Sequence, residues 1–181
     1  LQGKAFRSFQ TGQNLLLHGV AGTGKTFVAL YLALDLFMEN LYRPDFDKIH
    51  IIRSVVPTRS MGFLPGSLEE KIEVYESPYK SIFSELFGSA DAYNMAWQKE
   101  IIEFTTTSYL RGETFNDCIL IVDECQNMSM HELDSVITRL GENSRIIFAG
   151  DFRQSDFKSD FEKKGLLDFK FILSAMELFD V

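Results

Sequence analysis

Short apolar runs and longer segments with helical spacing follow one another along this chain. The run 14–18 (N-L-L-L-H) predicts a strand, and residues 25–39 predict a helix. In that helix Phe27, Leu30, Tyr31, Leu34 and Met38 fall at the i, i+3, i+4 spacing of one apolar face. Leu32, Ala33 and Leu36 widen the face, so the helix is buried over much of its circumference. Pro44 marks the exit loop. Residues 48–53 (K-I-H-I-I-R) predict a second strand, and a loop with Pro57, Gly62, Pro65 and Gly66 follows. Ser67 and Glu70 form an S-x-x-E capping box that opens a helix. Tyr75 and Ser77-Pro78 break or kink it. Helical spacing resumes over 79–87 and again over 90–99, and 101–106 is β-prone.

The run 118–122 (C-I-L-I-V) is apolar at every position, as suits a central parallel strand covered on both faces. Ser129 and Glu132 form a second capping box. The helix it opens carries Leu133, Val136, Ile137 and Leu140 on one face, with Gly141 as its stop. Residues 145–149 predict another buried strand, and 166–179 a last helix. Strands alternating with helices imply an α/β fold, its sheet mostly parallel and flanked by helices. Residues 1–181 are read as one domain, truncated at both ends.

In such sheets ligands sit beyond the carboxyl ends of the strands. Three polar clusters lie at such ends. The first is G-V-A-G-T-G-K-T, comprising Gly19, Val20, Ala21, Gly22, Thr23, Gly24, Lys25 and Thr26. It matches the phosphate-binding pattern G-x-x-x-x-G-K-[ST], between a strand and a helix as its chemistry requires. Backbone N–H groups of such a loop turn inward around phosphate oxygens, and the helix adds the positive end of its dipole. Lys25 would reach the β- and γ-phosphates, and the Thr26 hydroxyl would ligate Mg²⁺. The alternative is a tight glycine-rich turn with a solvated lysine.

The second cluster is Asp123-Glu124. Asp123 follows an apolar strand and would hold Mg²⁺ as the partner of Thr26. Glu124 would polarise the attacking water. The alternative is an acidic pair at a helix entry. The third cluster is Gly150-Asp151-Phe152-Arg153-Gln154. Gln154 can bond the γ-phosphate or the lytic water and so distinguish ATP from ADP. An ordinary turn explains the same residues equally well. Arg53, at the end of the second strand, is either a phosphate or nucleic-acid contact or a surface arginine. Arg111, in T-T-T-S-Y-L-R-G, lies on a nucleic-acid path or on an edge hairpin. Phe6 and Phe9 are placed either to stack on adenine or, the preferred reading, to pack in the core.

A formal charge of −8 argues against a broadly basic nucleic-acid coat while leaving room for a local groove. No apolar stretch reaches the roughly 20 residues a bilayer needs. Cys118 and Cys125 read as reduced and structural, in keeping with a cytoplasmic setting. His18, His50 and His131 are scattered and suggest no metal site. The absence of N-K-x-D favours ATP over GTP.

Five blocks carry a resemblance: H-G-V-A-G-T-G-K-T, M-G-F-L-P-G-S-L-E-E-K, R-G-E-T-F-N-D, I-V-D-E-C-Q-N and A-G-D-F-R-Q-S-D, in this order. The chain resembles the PhoH family of P-loop ATPases, its phage-type branch in particular, over nearly its whole length. The resemblance implies a RecA-like core similar to that of superfamily 1 helicases. It further implies Mg²⁺-dependent ATP hydrolysis, with Lys25, Thr26, Asp123, Glu124 and Gln154 in the roles above. RNA or single-stranded nucleic acid, a ring-shaped homo-oligomer and a nuclease partner are implied as possible associates. Two departures stand out. Ser54 replaces the family's proline after the arginine matching Arg53, and the chain stops at Asp180-Val181, before the family's arginine-bearing segment. Besides a nucleic-acid-coupled ATPase, the residues fit an ATP-gated module that docks a partner protein. They fit a small-molecule kinase less well, since no arginine-rich lid is visible.

Overall fold

The computed structural model describes residues 2–39, 45–54, 68–110, 112, 114–153 and 160–181. Among these described residues six strands form one sheet: β1 (Asn14–His18), β2 (Lys48–Arg53), β3 (Ile102–Thr106), β4 (Cys118–Asp123), β5 (Arg145–Gly150) and β6 (Phe179–Asp180). Their spatial order is β3-β2-β4-β5-β1-β6, and every pairing is parallel. Among the described residues six helices flank the sheet: α1 (Gln2–Gln10), α2 (Lys25–Glu39), α3 (Leu68–Phe87), α4 (Ala92–Gln98), α5 (Met130–Ile137) and α6 (Asp160–Ala175).

Alternation along β4 shows why the sheet is covered on both faces. Ile119 and Ile121 point into a cluster with Phe9, Leu30, Ile49 and Phe83, beneath α1 to α4. Cys118, Leu120 and Val122 point the other way, toward Leu133, Phe148, Leu166 and Phe169 of β5, α5 and α6. Side chains two apart share a face, so a strand buried on both sides is apolar at every position. β4 is buried along its full length. Each buried aliphatic side chain contributes roughly 1.5–3 kcal/mol, so this strand and its neighbours hold the scaffold rigid under the loops at its carboxyl edge. The mixed α/β fold, a parallel sheet between helices, is the one the patterning predicts.

Four local expectations need correction. Helix α3 runs unbroken through Pro78. The lost hydrogen bond and ring clash cost about 3 kcal/mol, but Tyr79 and Phe83 just beyond are fully buried and anchor that half to the core. Helix α5 ends at Ile137 with Thr138 as its C-cap, before Gly141. Leu140 instead bridges to Phe115, whose carbonyl accepts the Gly141 N–H. The last helix stops at Ala175, and Phe179 belongs to strand β6, where its ring packs against Phe148. The 101–111 region forms no hairpin among the described residues: β3 pairs in parallel with β2 and passes into a 3₁₀ turn, Thr107–Tyr109.

Helix α1 was not anticipated. It explains Phe6 and Phe9, which pack as preferred: Phe9 is 1% exposed beneath the Arg145 guanidinium, and Phe6 meets Tyr31. The loop 56–66 and Ser67, with the first capping box, lie outside the described residues, as does Pro44.

Candidate nucleotide site at the carboxyl edge of the sheet

The loop 19–26 joins β1 to α2, and Gly22 and Gly24 both take φ of 78°, a conformation that side-chain-bearing residues resist. Around it lies a cleft of about 350 Å³. Its walls are the loop and the start of α2 (Ala21, Gly22, Gly24, Lys25, Thr26, Phe27), Ile82 of α3, and Glu124, Gln126 and Asp151. A larger hollow of about 650 Å³ touches the loop's other side at Gly19, Thr23 and Lys25. The smaller cleft is the chemically relevant one, because the carboxylates and the Thr26 hydroxyl meet there.

Lys25 folds back on its own loop, its Nζ donating to the carbonyls of Gly19 (2.9 Å) and Val20 (3.0 Å). These are weak acceptors for an ammonium, and a phosphate would replace them readily. Thr26 Oγ1 donates to Asp123 Oδ1 at 2.9 Å. The second carboxylate oxygen, Oδ2, accepts the Tyr79 hydroxyl at 2.9 Å. Burial pushes the Asp123 pKa up, against the hydrogen bonds from Tyr79 and Thr26 and the charge of Arg53.

Glu124 adopts a left-handed backbone, φ 52° and ψ 38°. For a residue with a Cβ this costs on the order of 1–3 kcal/mol and persists only where surroundings enforce it. The Glu124 carbonyl accepts the Asn127 N–H at 2.9 Å, and its carboxylate is held by Gln126, which is 4% exposed. Its Nε2 donates to Glu124, and its Oε1 accepts the Asp151 N–H at 3.0 Å. Asp151 in turn accepts the Ala21 N–H on Oδ2 and the Arg153 N–H on Oδ1, each at 3.0 Å. A continuous network therefore ties the tip of the loop to the ends of β4 and β5.

The metal expectation can be tested on these donors. Among the described residues no three His, Cys, Asp or Glu side chains form a metal-binding group. The bonded pair Thr26 and Asp123 offers a hydroxyl and a carboxylate, both hard oxygen donors. Mg²⁺ suits such a set, because it takes few protein ligands and completes its shell with phosphates and water.

Arg53 lies opposite Asp123 in the strand register and 5.7 Å above the ring of Tyr75. Burial works against its charge, but Tyr79, Asp123 and Glu124 outweigh it and raise its pKa. It is thus half-buried beside the carboxylates rather than a free surface arginine. Gln154 and Arg111 lie outside the described residues. Sequence reasoning overlooked two members of the site. Gln126 carried a local signal, two residues past the acidic pair; Tyr79 carried none.

Farther along the edge, Glu132 ties three elements together. It accepts hydrogen bonds from Ser129 N–H and Oγ at the start of α5, from Thr107 Oγ1 after β3 and from Ser54 Oγ after β2. The capping box of Ser129 and Glu132 is formed as expected. Beside it opens a cleft of about 750 Å³ lined by Thr107, Ser108, Leu110, His131, Glu132, Ser135 and Arg139. Both cysteines are free and buried; burial lifts the Cys118 pKa to about 11 and raises that of Cys125 further. No helix among the described residues is long and apolar enough to cross a membrane.

Comparison with known proteins agrees with the motifs. A family model described as PhoH-like protein matches residues 1–181. A PhoH-like protein of Synechocystis is 33% identical over 98% of this chain and 54% of its own length. One of Bacillus subtilis is 34% identical over 97% of this chain and 57% of its own. Protein PhoH of Escherichia coli K12 is 33% identical over 83% of this chain and 42% of its own. The chain thus spans about half the length of the curated relatives it matches. On the match across all 181 residues, the chain belongs to the PhoH-like family of P-loop nucleotide-binding proteins.

Proposed function

We propose that the chain is an Mg²⁺-dependent ATPase core whose turnover is coupled to RNA or single-stranded nucleic acid. The observation that carries this reading is that Lys25, Thr26 and Glu124 line one cleft and Asp123 is bonded to Thr26 beside it, which joins the start of α2 to the end of β4. When bound, Mg²⁺ would neutralise phosphate charge as it develops. Thr26 and Asp123 would hold it. Lys25 would exchange the carbonyls of Gly19 and Val20 for β- and γ-phosphate oxygens. Glu124, aimed by Gln126, would take a proton from the attacking water. Gln154, three residues past Asp151, would sense the γ-phosphate. The hydroxyl-lined cleft of Thr107, Ser108 and Ser135 with Arg139 and His131 lies at the same edge and suits a nucleic-acid strand, which Arg111 would join.

A second reading, an ATP-gated module docking a partner such as a nuclease, is favoured by two observations. The net charge is −8, and Leu167, Phe171 and Ile172 of α6 are exposed together. Phosphate release by the full-length protein, with and without RNA, separates the two. Under the leading reading RNA raises the rate. Lys25→Ala abolishes ATP binding with the circular dichroism unchanged. Glu124→Gln retains ATP and loses about 10²–10⁴-fold in turnover. ATP affinity surviving in Lys25→Ala would refute the site. A rate indifferent to RNA but raised by a partner protein would favour the second reading.

A further inference from the structure

Tyr79 stands outside every motif of the sequence, yet it touches the carboxylate on which the proposed metal site depends. It follows Pro78 on α3 and is fully buried. Its ring packs on Phe104, with centroids 5.7 Å apart, and its hydroxyl donates to Asp123 Oδ2 at 2.9 Å. Thr26 Oγ1 holds the other oxygen at the same distance. Two donors from two helices thereby fix the rotation of a side chain that is 3% exposed. The neighbouring turns of α3 face the same way. Tyr75, one turn earlier, lies under the Arg53 guanidinium, and Ile82, about one turn later, lines the cleft. Helix α3 is therefore a wall of the site.

A phenylalanine would fill the space of Tyr79 without needing a polar partner. The hydroxyl adds what packing does not require: a hydrogen bond to the buried Asp123 carboxylate, stronger than a bond between neutral groups, and one shared with Arg53. We infer that Tyr79 is a positioning residue of the metal site, its hydroxyl holding Asp123 Oδ2 so that Oδ1 stays turned toward Thr26 and the phosphate cleft. This inference rests on the nucleotide–metal reading above. Partners that orient a ligating carboxylate typically change metal affinity or activity by about 10- to 100-fold when removed.

The test uses Tyr79→Phe in the full-length protein. Mn²⁺ binding is followed by electron paramagnetic resonance with a non-hydrolysable ATP analogue present, and analogue binding is measured separately without metal. Mn²⁺ affinity is expected to fall about tenfold, with metal-free analogue affinity unchanged within about twofold. The Mg²⁺ concentration giving half-maximal turnover should rise by a similar factor, and saturating Mg²⁺ should restore most of the rate. Phe104→Leu loosens the same ring packing and leaves the hydroxyl in place, so it should lower thermal stability without moving Mn²⁺ affinity. If Tyr79→Phe binds Mn²⁺ like wild type, or Phe104→Leu weakens it equally, the inference is overturned while the function stands. A wild-type protein with no nucleotide-dependent Mn²⁺ site would overturn both.

Discussion

Replacing Gly150 with alanine tests how tightly the end of β5 is coupled to the proposed base. A Cβ built there would lie 2.7 Å from Cys125 Sγ, 2.7 Å from Gln126 Oε1 and 3.3 Å from the Gln126 backbone nitrogen. Ordinary contact begins at 3.4 Å, so the first two atoms must retreat by about 0.7 Å. Neither can retreat freely. Cys125 is fully buried, and Gln126 Oε1 is held by the Asp151 N–H. Overpacking of this kind costs roughly 1–3 kcal/mol. For a protein of this size that corresponds to a fall in melting temperature of about 3–10 °C. The larger effect is expected on turnover, because moving Gln126 loosens its hydrogen bond to the Glu124 carboxylate. The assay pairs thermal unfolding with phosphate release at saturating ATP. ATP affinity should fall by less than turnover does: Lys25 is untouched, although the Gly19 and Ala21 amides donate to the Gly150 carbonyl and to Asp151. A Gly150→Ala protein that melts within about 1 °C of wild type and turns over normally would refute the argument.

The pH dependence of stability should carry the mark of Glu132. Burial opposes its charge, but hydrogen bonds from Thr107, Ser129 and Ser54 hold its pKa below the ordinary value. A depressed carboxylate stabilises the fold above the ordinary carboxylate range and loses that contribution as pH falls through its folded pKa. Glu132→Gln should therefore be less stable than wild type at pH 7 in urea titrations, with the gap closing toward pH 3; a constant gap would contradict this. The thiols should be inert in the native state, because both are buried and raised above neutral. Ellman's reagent is expected to titrate neither until denaturant is added, and rapid native reaction of either would show the fold to be looser than described.

The sheet was legible because buried parallel strands announce themselves as unbroken apolar runs, and 118–122 is such a run. The phosphate loop and the acidic pair were legible because their chemistry is written in adjacent residues. Interactions between distant segments were not. Tyr79 and Asp123 are 44 residues apart, and nothing near either one foretells the contact. Pro78 misled for the complementary reason. A local rule predicted a break or kink; no break occurs, because burial of Tyr79 and Phe83 holds the far half of the helix to the core. Helix α1 was missed because its apolar face is short: only Phe9 is buried, with Ala5 and Phe6 packed partly against the core. Phe179 was drawn into a helix by its neighbours, although its partners lie on β1 and β5.

The bonds that assemble the cleft span long stretches of chain: 97 residues from Thr26 to Asp123, and 130 from Ala21 to Asp151. The two sides of this pocket meet only when β1, near the start of the sequence, lies in one sheet with β5 and β4 from its later part. Such distant pairings close late and slowly. A nucleotide would then act as a clamp on the finished fold alone, adding about 2.7 kcal/mol when present at a hundred times its dissociation constant. On the proposed function, nucleotide concentration would thereby set the protein's resistance to proteolysis.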